Sequence, residues 1–483
     1  MSRMNDHMTH QQASPDKFPD EFTVEPLGTI LQPLITEAVQ EEGLSKVRKG
    51  TKLRPVFVIW IVVFQTLRRD LNGHQVISWL VSGWRWVEGC LPETSKLLSD
   101  GALSHARKRL GIPVFQRILA KLRQQHPPLK ADFHGHISVA FDGSTGTMPD
   151  TPSNRKRWGK PGSSHGTPAF PQMRFMGLLI VSTRTLWDVA CAPYRGKGTG
   201  ERALMQTIVE RLGNLVLLIL LDAGLYSFEM VWTLQQRGHT VIVKVPKTLK
   251  LPIIQRFSDG SFLTQVKDSF VEVSAADSPT GRCQWRTESM TLRAMRVQLP
   301  GYRPWRLVTT LVSPAIPADE IARHYHTRWD IEIAYDEIKT HQCATLRGHS
   351  PTTFRSKCGD LVEQEFYAMV ILYTAIRLLM VQAAQLTSCD PRDLSFLDTC
   401  HHLMEATPLL ALHDEARRVV AVDYFLRVIA TTRNTRPRRP RTAPQVLKVT
   451  RSKFPRKRAT DICLTHDTAE TLTILDAQEK TDT

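Results

Sequence analysis

No two cysteines of this sequence stand two residues apart. The eight present, at positions 90, 191, 283, 343, 358, 389, 400 and 463, are scattered singly. That leaves neither the paired knuckles of a zinc ribbon nor a disulfide framework, and they read as the reduced thiols of a cytosolic protein. Long hydrophobic runs are also missing. Val56 to Phe64 and Leu215 to Leu221 are far shorter than the roughly 20 residues that span a bilayer. Phe366 to Val381 is longer, but Arg377 interrupts it and it reads as a buried helix. The stretch Met1 to Asp20 is polar and lacks an apolar segment, so no secretory signal is expected and residues 1–22 read as a disordered tail. The pairs His134/His136 and His401/His402 have no metal-ligand partners near them. Acidic residues are in deficit, 47 against 63 Lys and Arg, which leaves a net charge of +16. Such an excess points to a polyanionic partner, and with no membrane segment expected that partner is nucleic acid.

What is present is enough for several domains: 483 residues, 42% of them hydrophobic. Residues 23–130 have helical periodicity and read as an α-helical N-terminal DNA-binding domain. Ser99 is placed to cap a helix ending at Leu110, whose Arg107-Lys108-Arg109 suits a helix-turn-helix-like contact or a solvated face. From residue 134 the pattern changes. Ile137 to Phe141 is a strand, a long loop follows from Thr147 to Pro171, and Met173 to Val181 and Thr185 to Ala192 form two further strands. A helix from Glu201, a strand ending at Leu221, a helix from Phe228 and a strand from Thr240 complete a mixed α/β sheet. Residues 250–313 alternate polar and apolar and read as a β insertion. Helix returns over Ala318 to Lys339 and over Val362 to Ala384, so the catalytic domain is placed at 134–385. Residues 386–483 read as a helical region with a basic tail, which has eleven Lys or Arg between Arg433 and Arg458 and no acid among them.

Two aspartates follow apolar strands, Asp142 after Phe141 and Asp222 after Leu221, at the strand ends where α/β sheets gather ligand groups. Each alone is also ordinary turn chemistry, since Gly143 follows the first and Ala223-Gly224 the second. A third carboxylate changes the balance. Tyr325, Arg328, Glu332 and Lys339 are spaced by three, four and seven residues, which puts them on one face of a helix. A carboxylate between an arginine and a lysine can hold metal beside phosphate: Arg grips oxygens bidentately, Lys is a point charge and Tyr adds a hydrogen bond. An exposed face salt-bridged from Arg328 to Glu332 is the structural alternative.

The pattern Y-x2-R-x3-E-x6-K is the signature of the insertion sequence 4 family of transposases, and this chain resembles that family. Phe141-Asp142-Gly143-Ser144, Asp150 to Asn154 with Phe170 to Arg174, and Leu221 to Tyr226 resemble its other blocks, and the resemblance covers roughly residues 24–460. It implies an α/β, RNase H-like mixed-sheet catalytic core with a β insertion, preceded by an α-helical domain. It implies Asp142, Asp222 and Glu332 as a catalytic and metal-binding triad for Mg²⁺ or Mn²⁺, two ions per site. Tyr325, Arg328 and Lys339 would contact transposon-end phosphates. Trp305 stands about where a relative of this family has a tryptophan that stabilises a flipped base.

The implied function is cut-and-paste transposition of a bacterial insertion sequence: cleavage at terminal inverted repeats, then strand transfer into target DNA. The implied partners are double-stranded DNA and a second copy in a synaptic dimer, in the cytoplasm and on the nucleoid. Three hard oxygen donors that leave room for water and phosphate suit Mg²⁺. Arg155, Lys156, Arg157, Lys160 and Arg174 lie close in sequence to the first aspartate and are candidates for backbone contacts. The alternatives are an inactive DNA-binding relative or transposition inhibitor, and a nuclease or resolvase-like enzyme. A serine hydrolase is excluded, because Gly162 to Gly166 matches G-x-S-x-G without the strand and helix a nucleophile elbow needs. Arg195 to Gly200 lacks Walker spacing and reads as a turn.

Overall fold

The computed structural model describes residues 24–48, 51, 53–80, 100–162, 169–272, 284–299, 303–342, 353–410, 415–433, 445–446, 463–464 and 472–476. Ser99, the G-x-S-x-G serine and most of the basic tail lie outside the described residues. The chain begins with helices α1 (Gly28–Glu41), α2 (Pro55–Leu67), α3 (Gly73–Leu80), α4 (Asp100–Leu110) and α5 (Pro113–Gln124). Proline opens α2 and α5, where its missing N–H costs nothing and its fixed φ suits a first turn. Then come β1 (Ser138–Thr147), α6 (Pro152–Trp158), β2 (Gln172–Ile180), β3 (Thr185–Pro193), α7 (Glu201–Glu210), β4 (Leu218–Leu221), α8 (Phe228–Gln236) and β5 (Thr240–Val245). Strands β6 (Ile253–Arg256), β7 (Phe262–Glu272), β8 (Gln284–Gln298) and β9 (Trp305–Thr309) make up the insertion. After it stand α9 (Ala318–Tyr325), α10 (Asp330–Asp336), α11 (Gly359–Thr387), α12 (Phe396–Leu410) and α13 (Glu415–Thr431).

These elements form two compact units that do not follow chain order. One gathers residues up to His126 with Thr147–Pro171 and Glu337–Arg433; the other gathers Pro127–Gly146, Gln172–Asp336 and the chain from Asn434.

The first unit is helical and centres on α11, against which α2, α5, α6 and α13 pack. By length and composition α11 could cross a membrane, but its side chains are covered by these helices almost from end to end. At its centre Arg377 is wholly buried and pairs with Glu337, and Tyr373 donates to the same carboxylate at 3.0 Å. The stretch Thr147–Pro171, expected as loop, contains α6. Thr151 caps it by accepting the Asn154 N–H, and Trp158 is buried with its indole N–H on the Gly359 carbonyl. The local signal was there, a capping threonine followed by proline, but glycine and proline further on masked it. The basic run of α4 is divided. Arg107 is buried and bonds to Ser356 and the Leu361 carbonyl, while Lys108 and Arg109 face solvent.

The second unit is a mixed sheet in the order β3-β2-β1-β4-β5-β9-β8-β7-β6. Strands β1, β4 and β5 run parallel and β2 pairs antiparallel with β3, which is the RNase H-like arrangement. The insertion does not stand apart. Strand β9 pairs antiparallel with β5, so β6–β9 prolong the same sheet. The C-terminal part, expected as helix and basic tail, also returns to it: Thr473–Leu475 pairs antiparallel with β8. A core of aliphatic side chains from β1, β2, β4 and β5 lies against α7 and α8. Strand β4 is apolar throughout because both its faces are covered.

Candidate active site

The parallel register of β1 and β4 pairs Ala140 with Leu220. Two residues further along each strand stand Asp142 and Asp222, side by side at one sheet edge, both half-buried. The Asp142 carboxylate accepts the Gly143 N–H at 2.9 Å. A Cβ on Gly143 would come within 2.7 Å of the Glu201 side chain at the start of α7, which would have to swing aside.

The segment from Ala318 to Lys339, expected as one helix, is composite. Between α9 and α10 lies a 3₁₀ turn, His326–Trp329, and after α10 a π-helical turn, Glu337–His341. The tighter turn has three residues per revolution, so Tyr325 and Arg328 eclipse one another. The next step is α-helical, and Arg328 reaches Glu332 at 2.8 Å. Of the four residues predicted to share a face, Tyr325, Arg328 and Glu332 do so, although not on a continuous α-helix, while Lys339 falls on the π-helical turn. The Tyr325 hydroxyl is buried and donates to the Leu221 carbonyl at 3.0 Å, one residue before Asp222. Arg184, in the β2–β3 turn, pairs with Asp330 at 2.7 Å and anchors the start of α10.

The electrostatics follow from this packing. Burial is the largest cause that pushes the Asp142 carboxyl up to about 6. Glu332 and Asp222 raise it further, while Arg328 and the Gly143 N–H pull it back. Burial also raises the Tyr325 phenol, against the pull of Arg328. Burial alone would lower Arg328, but Tyr325, Glu332 and Asp222 outweigh it and the guanidinium is held above its ordinary value. Among the described residues no three His, Cys, Asp or Glu side chains are drawn together as a ready-made ion cage. Glu332 is turned to Arg328 instead. The donor set itself, three hard carboxylate oxygens that destabilise each other's charge, has the chemistry that takes a divalent cation.

The other predicted residues fall into two groups. In the sheet unit, Trp305 lies over Tyr325 with ring centroids 5.6 Å apart and under Lys244. Arg174 donates to the Thr199 carbonyl at 3.1 Å and stacks on Tyr194. In the helical unit, Lys339 sits on the π turn and Arg155 and Lys160 both pair with Asp150. Arg157 pairs with Glu363 at 2.7 Å. The sequence reading passed over Trp329. It stands between Arg328 and Asp330 at the end of the 3₁₀ turn and is 53% exposed. Its only sequence signal was an aromatic residue between two charges.

Comparison with known proteins agrees with this geometry. Residues 134–374 match the family described as transposase DDE domain, and residues 24–120 match that described as insertion element 4 transposase N-terminal. These two matches, on this fold, define a DNA transposase with a DDE catalytic domain. Transposase InsG for insertion sequence element IS4, from Escherichia coli K12, is 28% identical over 388 residues, covering 78% of this chain and 81% of that protein. Putative transposase InsZ of the same strain is 29% identical over 147 residues, 29% of this chain and 48% of its own. The chain belongs to the insertion sequence 4 family of DDE transposases. Among solved structures, the piggyBac transposase synaptic complex with hairpin DNA covers 84% of this chain and 83% of its own, at 9% identity and a TM-score of 0.43.

Proposed function

We propose that Asp142, Asp222 and Glu332 form the catalytic triad of a cut-and-paste transposase and hold divalent metal, Mg²⁺ or Mn²⁺, two ions per site. The observation that carries this is the half-buried Asp142 carboxyl, whose charge Glu332 and Asp222 make costly and which lacks a full counter-charge. Bound divalent ions supply that charge, acidify the attacking hydroxyl and steady the leaving oxygen of the phosphodiester. The rest of the work falls to the chain. Arg328 holds the Glu332 carboxylate in a 2.8 Å ion pair, and Tyr325 ties its helix to the strand that leads into Asp222. The Arg328 guanidinium, which grips the Glu332 carboxylate, has the same fork geometry for phosphate oxygens.

The substrate is double-stranded DNA: first a terminal inverted repeat, then the target. The excess of positive charge and the basic chain from Arg433 support this, through phosphate contacts that position without reading sequence. Lys339, Arg155, Arg157, Lys160 and Arg174 serve such contacts in this reading, and Trp329 offers an exposed flat face to an unstacked base, whereas Trp305 is already held between Tyr325 and Lys244. Two copies act together on two ends, as cut-and-paste chemistry requires, in the bacterial cytoplasm where the DNA lies.

The test is Mg²⁺-dependent cleavage of a DNA duplex carrying the element's own end. Wild type is expected to release a 3′-OH end and Glu332→Gln to fall by at least about a thousandfold while staying folded, as when a group that stabilises transition-state charge is lost. Equal activity of the two proteins would sink the assignment. An inactive wild type that still binds the end would favour the inhibitor reading.

A further inference from the structure

Tyr335 has no place in the signature of the family, yet it bonds directly to the backbone of the first aspartate. It stands three residues after Glu332 on α10, so the two side chains share a helix face. Its hydroxyl donates to the backbone carbonyl of Asp142 at 2.6 Å. The same oxygen meets the backbone of Gly177 on β2, the strand beside β1. A Cβ on Gly177 would lie 2.7 Å from that oxygen, so glycine is what admits it. The ring is buried and packs edge-on against Phe175, centroids 5.5 Å apart.

Position makes this more than core packing. Tyr325 ties the segment before Glu332 to the carbonyl preceding Asp222, and Tyr335 ties the segment after it to the carbonyl of Asp142 itself. Glu332 is thus slung between two hydroxyl anchors, one to each aspartate strand. We infer that Tyr335 is a positioning residue of the active site: its hydroxyl, seated in the gap left by Gly177, sets the register of Glu332 against Asp142 and thereby the geometry in which the carboxylates take up metal. The inference rests on the metal-binding reading proposed above. Tyr335 touches no reacting atom in this account and acts through Glu332 and Asp142. Such supporting partners, when lost, weaken metal affinity by about ten- to a hundredfold.

The experiment is Mn²⁺ binding to the full chain without DNA, followed by the paramagnetic signal of the free ion. The proteins are wild type, Tyr335→Phe, Gly177→Ala, Glu332→Gln and Ile208→Val. The last removes one methylene from the buried face of α7 and serves as a control for lost stability. Tyr335→Phe is expected to weaken Mn²⁺ binding at least about tenfold. Gly177→Ala, which keeps the hydroxyl but displaces it, is expected to do the same and replaces Tyr335→Phe as the decisive variant if that protein does not fold. Ile208→Val is expected to lose thermal stability with Mn²⁺ affinity unchanged. If wild type binds Mn²⁺, Glu332→Gln does not, and the Tyr335 and Gly177 variants bind within twofold of wild type, the positioning role is refuted and the metal site stands. If Ile208→Val weakens binding as much as they do, the effect is one of general stability and the role is again refuted. If wild type takes up no Mn²⁺, the metal reading fails and this inference with it.

Discussion

Replacing Asp142 by asparagine should make the metal-free protein more stable at neutral pH while destroying its activity. Asparagine is isosteric and its carbonyl can still accept the Gly143 N–H, so little changes except the charge. In the folded protein the carboxyl titrates near 6 against an ordinary 3.8, chiefly because it is buried and secondly because Glu332 and Asp222 face it. The folded value lies above the unfolded one, so the folded state binds the proton more tightly. The stabilisation from that proton is complete below about pH 4 and is lost as pH rises through 6. The full gap corresponds to about 3 kcal/mol. Because the carboxyl is only half-buried, solvent screening reduces this to about 1–2 kcal/mol. For a unit of roughly 200 residues that is an increase in Tm of about 2–8 °C for Asp142→Asn at pH 8.

The assay is thermal unfolding of both proteins in chelator from pH 4 to 8. The Tm difference is expected to shrink to nothing near pH 4 and to reach its plateau above pH 6.5. Added Mg²⁺ should raise the Tm of wild type and leave the variant unmoved, since only the former gains a ligand on folding. A variant less stable than wild type at pH 8, or a Tm difference that does not change with pH, would refute the reasoning. The site would then not be storing electrostatic strain. The expected result would show function costing stability, the usual bargain where like charges are gathered for catalysis.

Other outcomes follow from the same structure. Glu337→Gln should leave Arg377 buried without a counter-charge and cost about 3–5 kcal/mol, measured by chemical denaturation, whereas Glu337→Leu with Arg377→Met should recover most of it. Recovery of less than half would show that the pair holds the helical unit in a way apolar packing cannot replace. Trp329→Ala should leave Tm within about a degree, since the indole is more than half exposed. It should weaken binding of an end-bearing duplex with an unpaired terminal base about tenfold, within the range found for base–aromatic stacking. Unchanged affinity in a gel-shift titration would remove Trp329 from the DNA surface.

The sequence by itself determined the mixed α/β character of the second unit and named the residues proposed for its site. Local patterns suffice for this: an apolar run with both faces covered reads as a buried strand, and strand-end aspartates follow from where the run stops. The three-four spacing of Tyr325, Arg328 and Glu332 survives the change from α to 3₁₀ winding because both bring residues three or four apart together. Helix α6 was missed although Thr151 and Pro152 announced it, because prolines and glycines downstream dominate any composition average.

Only the tertiary structure decided what depends on contacts between residues distant in the chain. The β1–β4 register sets Asp142 beside Asp222 across some eighty residues of sequence, and no local rule counts that distance. The insertion joined the sheet because β5 had an open edge, and pairing is the cheapest way to satisfy such an edge. The same logic drew Thr473–Leu475 onto β8. Which cations remain exposed was equally invisible. Arg107 looks like a surface residue until the Leu361 carbonyl folds against it, and the partner that makes Arg377 tolerable inside a buried helix, Glu337, lies forty residues away. Tyr335 belongs to this class: its hydroxyl acquires a purpose only when β1 and the bare backbone of Gly177 arrive beside it. Residue types fix which interactions a chain can make, and long-range packing fixes which of them it makes.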